Sequence, residues 1–224
     1  MTTVDPADPH HGQLVLREGE DPALARLAVI MIHGRGGSAE DIMTLSRHLE
    51  IEGATYLAPQ AAGQTWYPMS FLSPIERNEP GITSGMRVIS GLIDEVGRAG
   101  VPPDRVILLG FSQGACLSLE FAARHARRYA LIAGLSGGLI GPPGTPRAYE
   151  GSMEHTPVFL GCSDVDPHIP VERVHETGSV FRALDAEVDE HIYPDMDHSV
   201  TAEELHALRR MLGRIDVSTP RPSS

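Results

Sequence analysis

Short apolar runs alternate with longer amphipathic stretches along the chain. The short runs fall at 14–16, 27–32, 55–57, 106–109, 131–135, 158–160 and 187–193. Several are almost continuously apolar, as in strands buried on both faces of a parallel sheet. The longer stretches fall at about 39–50, 82–99, 113–126, 171–184 and 201–213. Val171, Val174, Val180, Phe181 and Leu184 include three- and four-residue helical spacings. Ser38 with Asp41 three residues on has the form of a capping box, and Gly53 and Gly100 are plausible helix stops. The alternation predicts an open, mostly parallel α/β sheet with helices on both faces. In such sheets ligands sit beyond the carboxyl ends of the strands, so the loops after strands are the places to look for chemistry.

Two connections are long. Residues 60–81 carry Trp66, Tyr67 and Phe71, and residues 136–156 are rich in Gly and Pro. Long loops in a compact domain are commonly functional. The aromatic content of the first makes Trp66, Tyr67, Phe71 and Met69 candidates for a pocket wall, with core packing under the loop as the competing reading. Residues 1–11, rich in Pro, Asp and His, and the tail 215–224 are expected to be flexible, leaving one domain over 12–214.

Composition narrows the function. The 224 residues suit one α/β domain, and 41% apolar with 21% charged residues is ordinary globular composition. The net charge of −12 argues against nucleic acid as a partner. All 18 basic residues are Arg. A chain without Lys cannot form a Walker A loop, a Lys Schiff base or a pyridoxal phosphate linkage. The two cysteines, Cys116 and Cys162, are no disulfide framework and read as packed thiols. The amino-terminal residues lack a basic segment followed by an apolar one, and the longest clean apolar run has six residues, 27–32. A cytoplasmic location without membrane insertion is therefore expected.

The strongest chemical signal is Gly110-Phe111-Ser112-Gln113-Gly114. It follows an apolar strand and opens a helix, the context of a nucleophile elbow. A second Gly-rich turn, His33-Gly34-Arg35-Gly36-Gly37, follows the run 27–32. Such a turn can offer a backbone N–H to a developing oxyanion, here that of Arg35, with the N–H of Gln113 as the second donor. The His33 side chain itself reads as structural. A serine nucleophile needs a base and an orienting carboxylate, in the chain order Ser, acid, His for this architecture. His198 follows the last strand and precedes the last helix, so it is the candidate base; His191 and His206 lie within elements. The acid lies in the loop Gly161-Cys162-Ser163-Asp164-Val165-Asp166-Pro167-His168-Ile169-Pro170, with Asp164 and Asp166 both available. A rival use of these residues is a metal site of Asp164, Asp166, His168 and His198, which no i,i+4 His pair supports.

The segments H-G-x-G-G, G-F-S-Q-G-A, D-P-H-I-P and D-H-S together resemble the α/β-hydrolase fold. Within it they resemble the acyl-protein thioesterase, phospholipase and bacterial carboxylesterase family, over about residues 27–212. The resemblance implies a serine hydrolase of carboxylic esters or thioesters with no large lid domain, no cofactor and no metal. It assigns Ser112 as nucleophile, His198 as base, Asp166 as acid through the Pro spacing, and the N–H groups of Arg35 and Gln113 as oxyanion donors. Counted from Gly161, the family spacing points to Asp164 instead. Arg35 stands where thioesterases usually have Leu, and Trp66-Tyr67-Pro68 departs from the long-chain pattern.

The expected function is therefore a carboxylesterase acting on small soluble esters. Thioesterase, lysophospholipase and lactone (dienelactone-like) hydrolysis are the alternatives within enzymes. A non-catalytic small-ligand-binding protein on the same scaffold is the alternative outside them. An apolar pocket mouth is also a candidate homodimer face.

Overall fold

The computed structural model describes residues 5–215. Seven strands form one sheet: β1 (Val15–Gly19), β2 (Leu27–Ile32), β3 (Ala54–Pro59), β4 (Val106–Phe111), β5 (Leu131–Leu135), β6 (Pro157–Ser163) and β7 (Glu187–Tyr193). Their spatial order is β1-β3-β2-β4-β5-β6-β7. Only β1 runs antiparallel to its neighbour. The helices are α1 (Ala39–Met43), α2 (Ser46–Leu49), α3 (Gly81–Arg98), α4 (Gln113–Arg124), α5 (Val171–Ala183) and α6 (Ala202–Leu212).

Period-2 alternation distributes the strand side chains between two cores. Ala28, Ile30, Ile32, Leu108 and Leu160 join one cluster with Ile82, Ile89, Leu117, Val174 and Phe181. Val29, Met31, Ile107, Leu109 and Phe159 join the other with Ile42, Met43, Leu205 and Leu208. So α3, α4 and α5 cover one face, and α1 and α6 the other. The two edge strands carry Arg17, Glu18, Glu187 and Asp189, which blunt edge-to-edge association.

The stretch 39–50, expected as one helix, is two short ones. Ser38 caps the first with a capping box: its Oγ accepts from Asp41 N at 3.1 Å and its N–H donates to Asp41 Oδ2 at 2.9 Å. That helix ends at Met43, and the Thr44 hydroxyl donates to Asp41 O at 2.6 Å in its last turn.

The amino-terminal expectation fails within residues 5–11. His10 is buried; its Nε2 donates to Trp66 O at 2.9 Å and its Nδ1 accepts from Ala62 N at 3.1 Å. Its N–H also meets Ser84 Oγ at 2.9 Å. The segment is held because Trp66, beneath it, needs a cover. Most of the tail 215–224 lies outside the described residues. None of the described helices is long and apolar enough to cross a membrane.

The topology positions the site. The chain runs from β2 outward to β3, then returns to place β4 on the other side of β2. The loops after β2 and β4 therefore leave neighbouring strands side by side, at the point where the strand order reverses.

Candidate active site

The turn after β4 is set by two glycines. A Cβ on Gly110 would sit 2.4 Å from the Gly114 carbonyl carbon and oxygen. A Cβ on Gly114 would sit 2.1 Å from Ile32 O. Only hydrogen fits at either position, so β2, β4 and the start of α4 approach backbone to backbone. Between them Ser112 adopts φ 53° and ψ −118°. A non-glycine residue at positive φ is costly and persists only where its surroundings hold it. Here Ser112 N donates to Leu135 O at 2.9 Å, and Cys116 N donates to Ser112 O at 3.0 Å. The hydroxyl is thereby held over the start of α4, at the positive end of its dipole.

His198, between β7 and α6, places Nε2 2.8 Å from Ser112 Oγ. Its Nδ1 lies 2.7 Å from Asp166 Oδ2. With the proton on Nδ1, donating to the carboxylate, Nε2 is free to accept from the serine hydroxyl. Asp166 has a fully buried side chain. Its other oxygen, Oδ1, accepts from the N–H groups of His168 at 2.8 Å and Ile169 at 3.0 Å. Burial pushes the Asp166 carboxyl up, but the bonds from His198 and the two N–H groups more than offset it and leave it below its ordinary value. The carboxylate is therefore ionised at neutral pH.

Of the two carboxylates, the structure brings Asp166 to the imidazole. Asp164 points elsewhere: its Oδ1 accepts from Asp195 N at 2.9 Å, across the β6 and β7 loops. That bond braces the His198 loop and leaves Asp164 without contact to the imidazole. The four side chains of the metal reading are not assembled as ligands. Both nitrogens of His198 are engaged, and among the described residues no cluster of three or more His, Cys, Asp or Glu is placed to hold a metal ion.

The His33–Gly37 turn lies against the nucleophile. A Cβ on Gly34 would be 3.3 Å from Ser112 Cβ and 3.2 Å from the Phe111 ring. His33 is buried, as a structural residue should be: Nδ1 donates to Gly34 O at 2.7 Å and Nε2 accepts from Ala61 N at 3.0 Å. Burial lowers its pKa, against the opposing bond to Gly34, so this imidazole stays neutral.

The Arg35 side chain plays a part that the motif does not reveal. Its guanidinium reaches across to the 60–81 loop and donates to Tyr67 O at 2.8 Å, Pro68 O at 3.0 Å and Met69 O at 2.7 Å. The Gln113 side chain grips the same loop from below. Its Oε1 accepts from Trp66 N at 2.8 Å and its Nε2 donates to Tyr67 O at 2.8 Å. Both residues whose backbone N–H groups are oxyanion candidates thus hold the pocket wall with their side chains.

Ser112 opens into a cleft of about 390 Å³ whose walls include Tyr67, Phe71, Gln113, Cys116, Ile169 and His198. Tyr67, Met69 and Phe71 line this cleft. Trp66 does not. It is wholly buried, its indole N–H donating to His33 O at 2.9 Å, with its ring 5.0 Å from that of His10. The indole is a support beneath the wall, because the chain alternates direction between Trp66 and Tyr67.

Three further residues meet the imidazole or the cleft: Phe111 of the elbow motif, His168, read from sequence only as a rival metal ligand, and Cys116, read as a packed thiol. The Phe111 ring lies tilted against that of His198 with centroids 5.1 Å apart, and His168 meets the same imidazole edge-on at 4.8 Å. Cys116 reaches the cleft floor from one helical turn beyond Ser112. The i,i+4 spacing is the signal that could have found it. Burial pushes the thiols of Cys116 and Cys162 up to about 12, so neither is a thiolate nucleophile at neutral pH.

A family model described as phospholipase/carboxylesterase matches residues 12–215. Acyl-protein thioesterase 1 of Kluyveromyces lactis is 27% identical over 210 residues, which cover 85% of this chain and 92% of that protein. The crystal structure of a phospholipase/carboxylesterase from Dyadobacter fermentans superposes with a TM-score of 0.88 at 36% identity, covering 92% of this chain and 99% of that one. Zea mays acyl-protein thioesterase 2 shares the fold at a TM-score of 0.70 and 17% identity, over 90% of this chain and 98% of that one. The protein belongs to the phospholipase/carboxylesterase family of α/β-hydrolases, enzymes that hydrolyse carboxylic esters.

Proposed function

We propose that the protein is a serine carboxylesterase that cleaves small esters through an acyl-enzyme on Ser112. The observation that carries this reading is the unbroken hydrogen-bonded line from Ser112 Oγ through His198 to Asp166, at 2.8 and 2.7 Å. Ser112 Oγ attacks the acyl carbon while His198 Nε2 takes its proton. Asp166 keeps the imidazole in the required tautomer and stabilises the imidazolium. The N–H groups of Arg35 and Gln113 receive the oxyanion, aided by the amino-terminal end of α4. His198 returns the proton to the departing alkoxide. It then activates water against the acyl-enzyme, which releases the acid and restores the serine.

The preference for small esters rests on the cleft. Its wall at 67–69 is pinned by Arg35 and Gln113, beside an open cleft of about 390 Å³ at Ser112. Thioester cleavage uses the same groups and is the second reading, favoured by the relatives named acyl-protein thioesterase.

The test is labelling with a fluorophosphonate, read by intact mass and peptide mapping. One adduct on Ser112, absent in Ser112→Ala and His198→Ala, is the expected result. Esterase turnover that survives Ser112→Ala intact would overturn the reading.

A further inference from the structure

Behind the oxyanion turn lies a second, smaller cavity of about 210 Å³. It shares Arg35 with the cleft and is walled by Gly34, Ile42, Leu45, Phe111 and Val200. Ile42 is buried, whereas Leu45, Phe111 and Val200 are partly exposed apolar side chains packed on the α1/α6 core. Of the polar groups at its edge, His33 Nδ1 donates to Gly34 O, Asp41 Oδ2 accepts from Ser38 N, and the Arg35 guanidinium donates to the 67–69 backbone. What remains is an apolar recess open to solvent.

Its position relates it to the reacting carbon. Gly34 abuts Ser112, the Phe111 ring lies tilted against that of His198, and Val200 follows His198 by two residues. A tetrahedral intermediate on Ser112 carries four substituents: Oγ, the oxyanion, the acyl chain and the alkoxy group. In the proposed mechanism the oxyanion faces the Arg35 and Gln113 N–H groups. The cleft holding Cys116, Phe71 and Ile169 takes the acyl chain. The alkoxy oxygen must face His198, which protonates it, and the recess approaches the imidazole through Phe111, whose ring is one of its walls and lies 5.1 Å from that of His198.

We propose that this recess is the alcohol subsite, taking an aryl or short alkyl leaving group. The proposal rests on the esterase reading above and adds to it the chemical class of the departing half. An apolar cavity of roughly 150 Å³ accommodates a benzene ring, so the recess is large enough for one ring. Ile42, Leu45, Phe111 and Val200 give it mostly apolar walls, and the Asp41 carboxylate at its edge disfavours an anionic alcohol.

The test compares methyl and phenyl butyrate on the full chain, with acyl length varied separately at constant methanol. Changes in the phenyl-to-methyl ratio of kcat/KM between variant and wild type cancel the intrinsic reactivity of the two esters. Leu45→Trp should fill the recess and lower that ratio about tenfold or more, with the acyl-length profile retained. Val200→Ala should enlarge it and raise turnover of naphthyl over phenyl butyrate several-fold. If Leu45→Trp does not fold, the Val200→Ala comparison decides alone. A ratio unchanged in a folded variant that still takes the fluorophosphonate adduct overturns the subsite and leaves the esterase standing, as does a shift in acyl-length preference instead. A wild type that takes no adduct and turns over none of these esters overturns both.

Discussion

Arg35 donates from Nη2 to the carbonyl oxygen of Tyr67 at 2.8 Å, so the turn after β2 and the wall of the cleft are one mechanical unit. The guanidinium makes two further bonds to the same strip of backbone, at Pro68 and Met69. Arg35→Ala keeps the backbone N–H proposed for the oxyanion but releases the wall. The expected outcome is a KM raised about five- to tenfold with a smaller loss in kcat, measured by steady-state kinetics on one ester. Arg35→Lys should recover little, because one ammonium cannot reproduce a fork spread over three carbonyls.

Asp166 and Asp164 should separate cleanly. Asp166→Asn leaves the shape but removes the charge that orients and stabilises the imidazole, and kcat should fall about 10³- to 10⁴-fold. Asp164→Asn retains an oxygen for the Asp195 N–H, so kcat should stay within about threefold of wild type. The carboxyl of Asp166 is held below its ordinary value of 3.8, so its bonds stabilise the fold above that pH. That contribution is lost as pH falls through the lower folded value, and an acid-unfolding curve of Asp166→Asn should lack it.

Trp66→Ala should act on stability before specificity. Removing a wholly buried indole that underlies the wall costs about 3–5 kcal/mol. Thermal unfolding should show a large drop in Tm. Any change in acyl preference should follow from loosening of Tyr67 and Phe71. An unchanged Tm with altered acyl preference would return Trp66 to the wall.

Glu204, on α6, offers a second pH test, of stability. Both carboxyl oxygens are buried against β6 with no hydrogen-bond partner among the described residues. Burial, partly offset by the Thr201 backbone, pushes this carboxyl from about 4.5 up to about 8. The folded chain therefore holds a proton that the unfolded chain has released. Stability from this group is full below pH 4.5 and is lost as pH rises towards 8, on the order of a few kcal/mol in total. Glu204→Gln should flatten the dependence and raise Tm at pH 9 more than at pH 5.

The parallel sheet was legible in the sequence because strands buried on both faces are apolar throughout, as β2, β4 and β5 are. The turn around Ser112 was legible because Gly110 and Gly114 have no substitute where backbones approach so closely. His198 followed from its place after the last strand. The acid was not settled by spacing, since Asp164 and Asp166 lie on one loop and only the direction of each side chain separates them. Trp66 was misread because hydrophobicity marks burial without saying which side of a loop is buried. The grip of Arg35 on 67–69 was invisible because it joins segments more than thirty residues apart through main-chain carbonyls, which every sequence possesses. His10 was misjudged for a similar reason: a polar segment near a terminus reads as frayed unless its distant partner is known.

That partner gives the amino-terminal segment a practical weight. His10 occupies both an N–H and a carbonyl of the stretch that carries the cleft wall, Ala62 and Trp66. Trimming the chain to the start of the sheet, a natural choice for a shortened expression clone, would strip the cover from the indole and leave those two groups to water. A clone begun at β1 should therefore be compared with the full chain before its substrate profile is attributed to the enzyme.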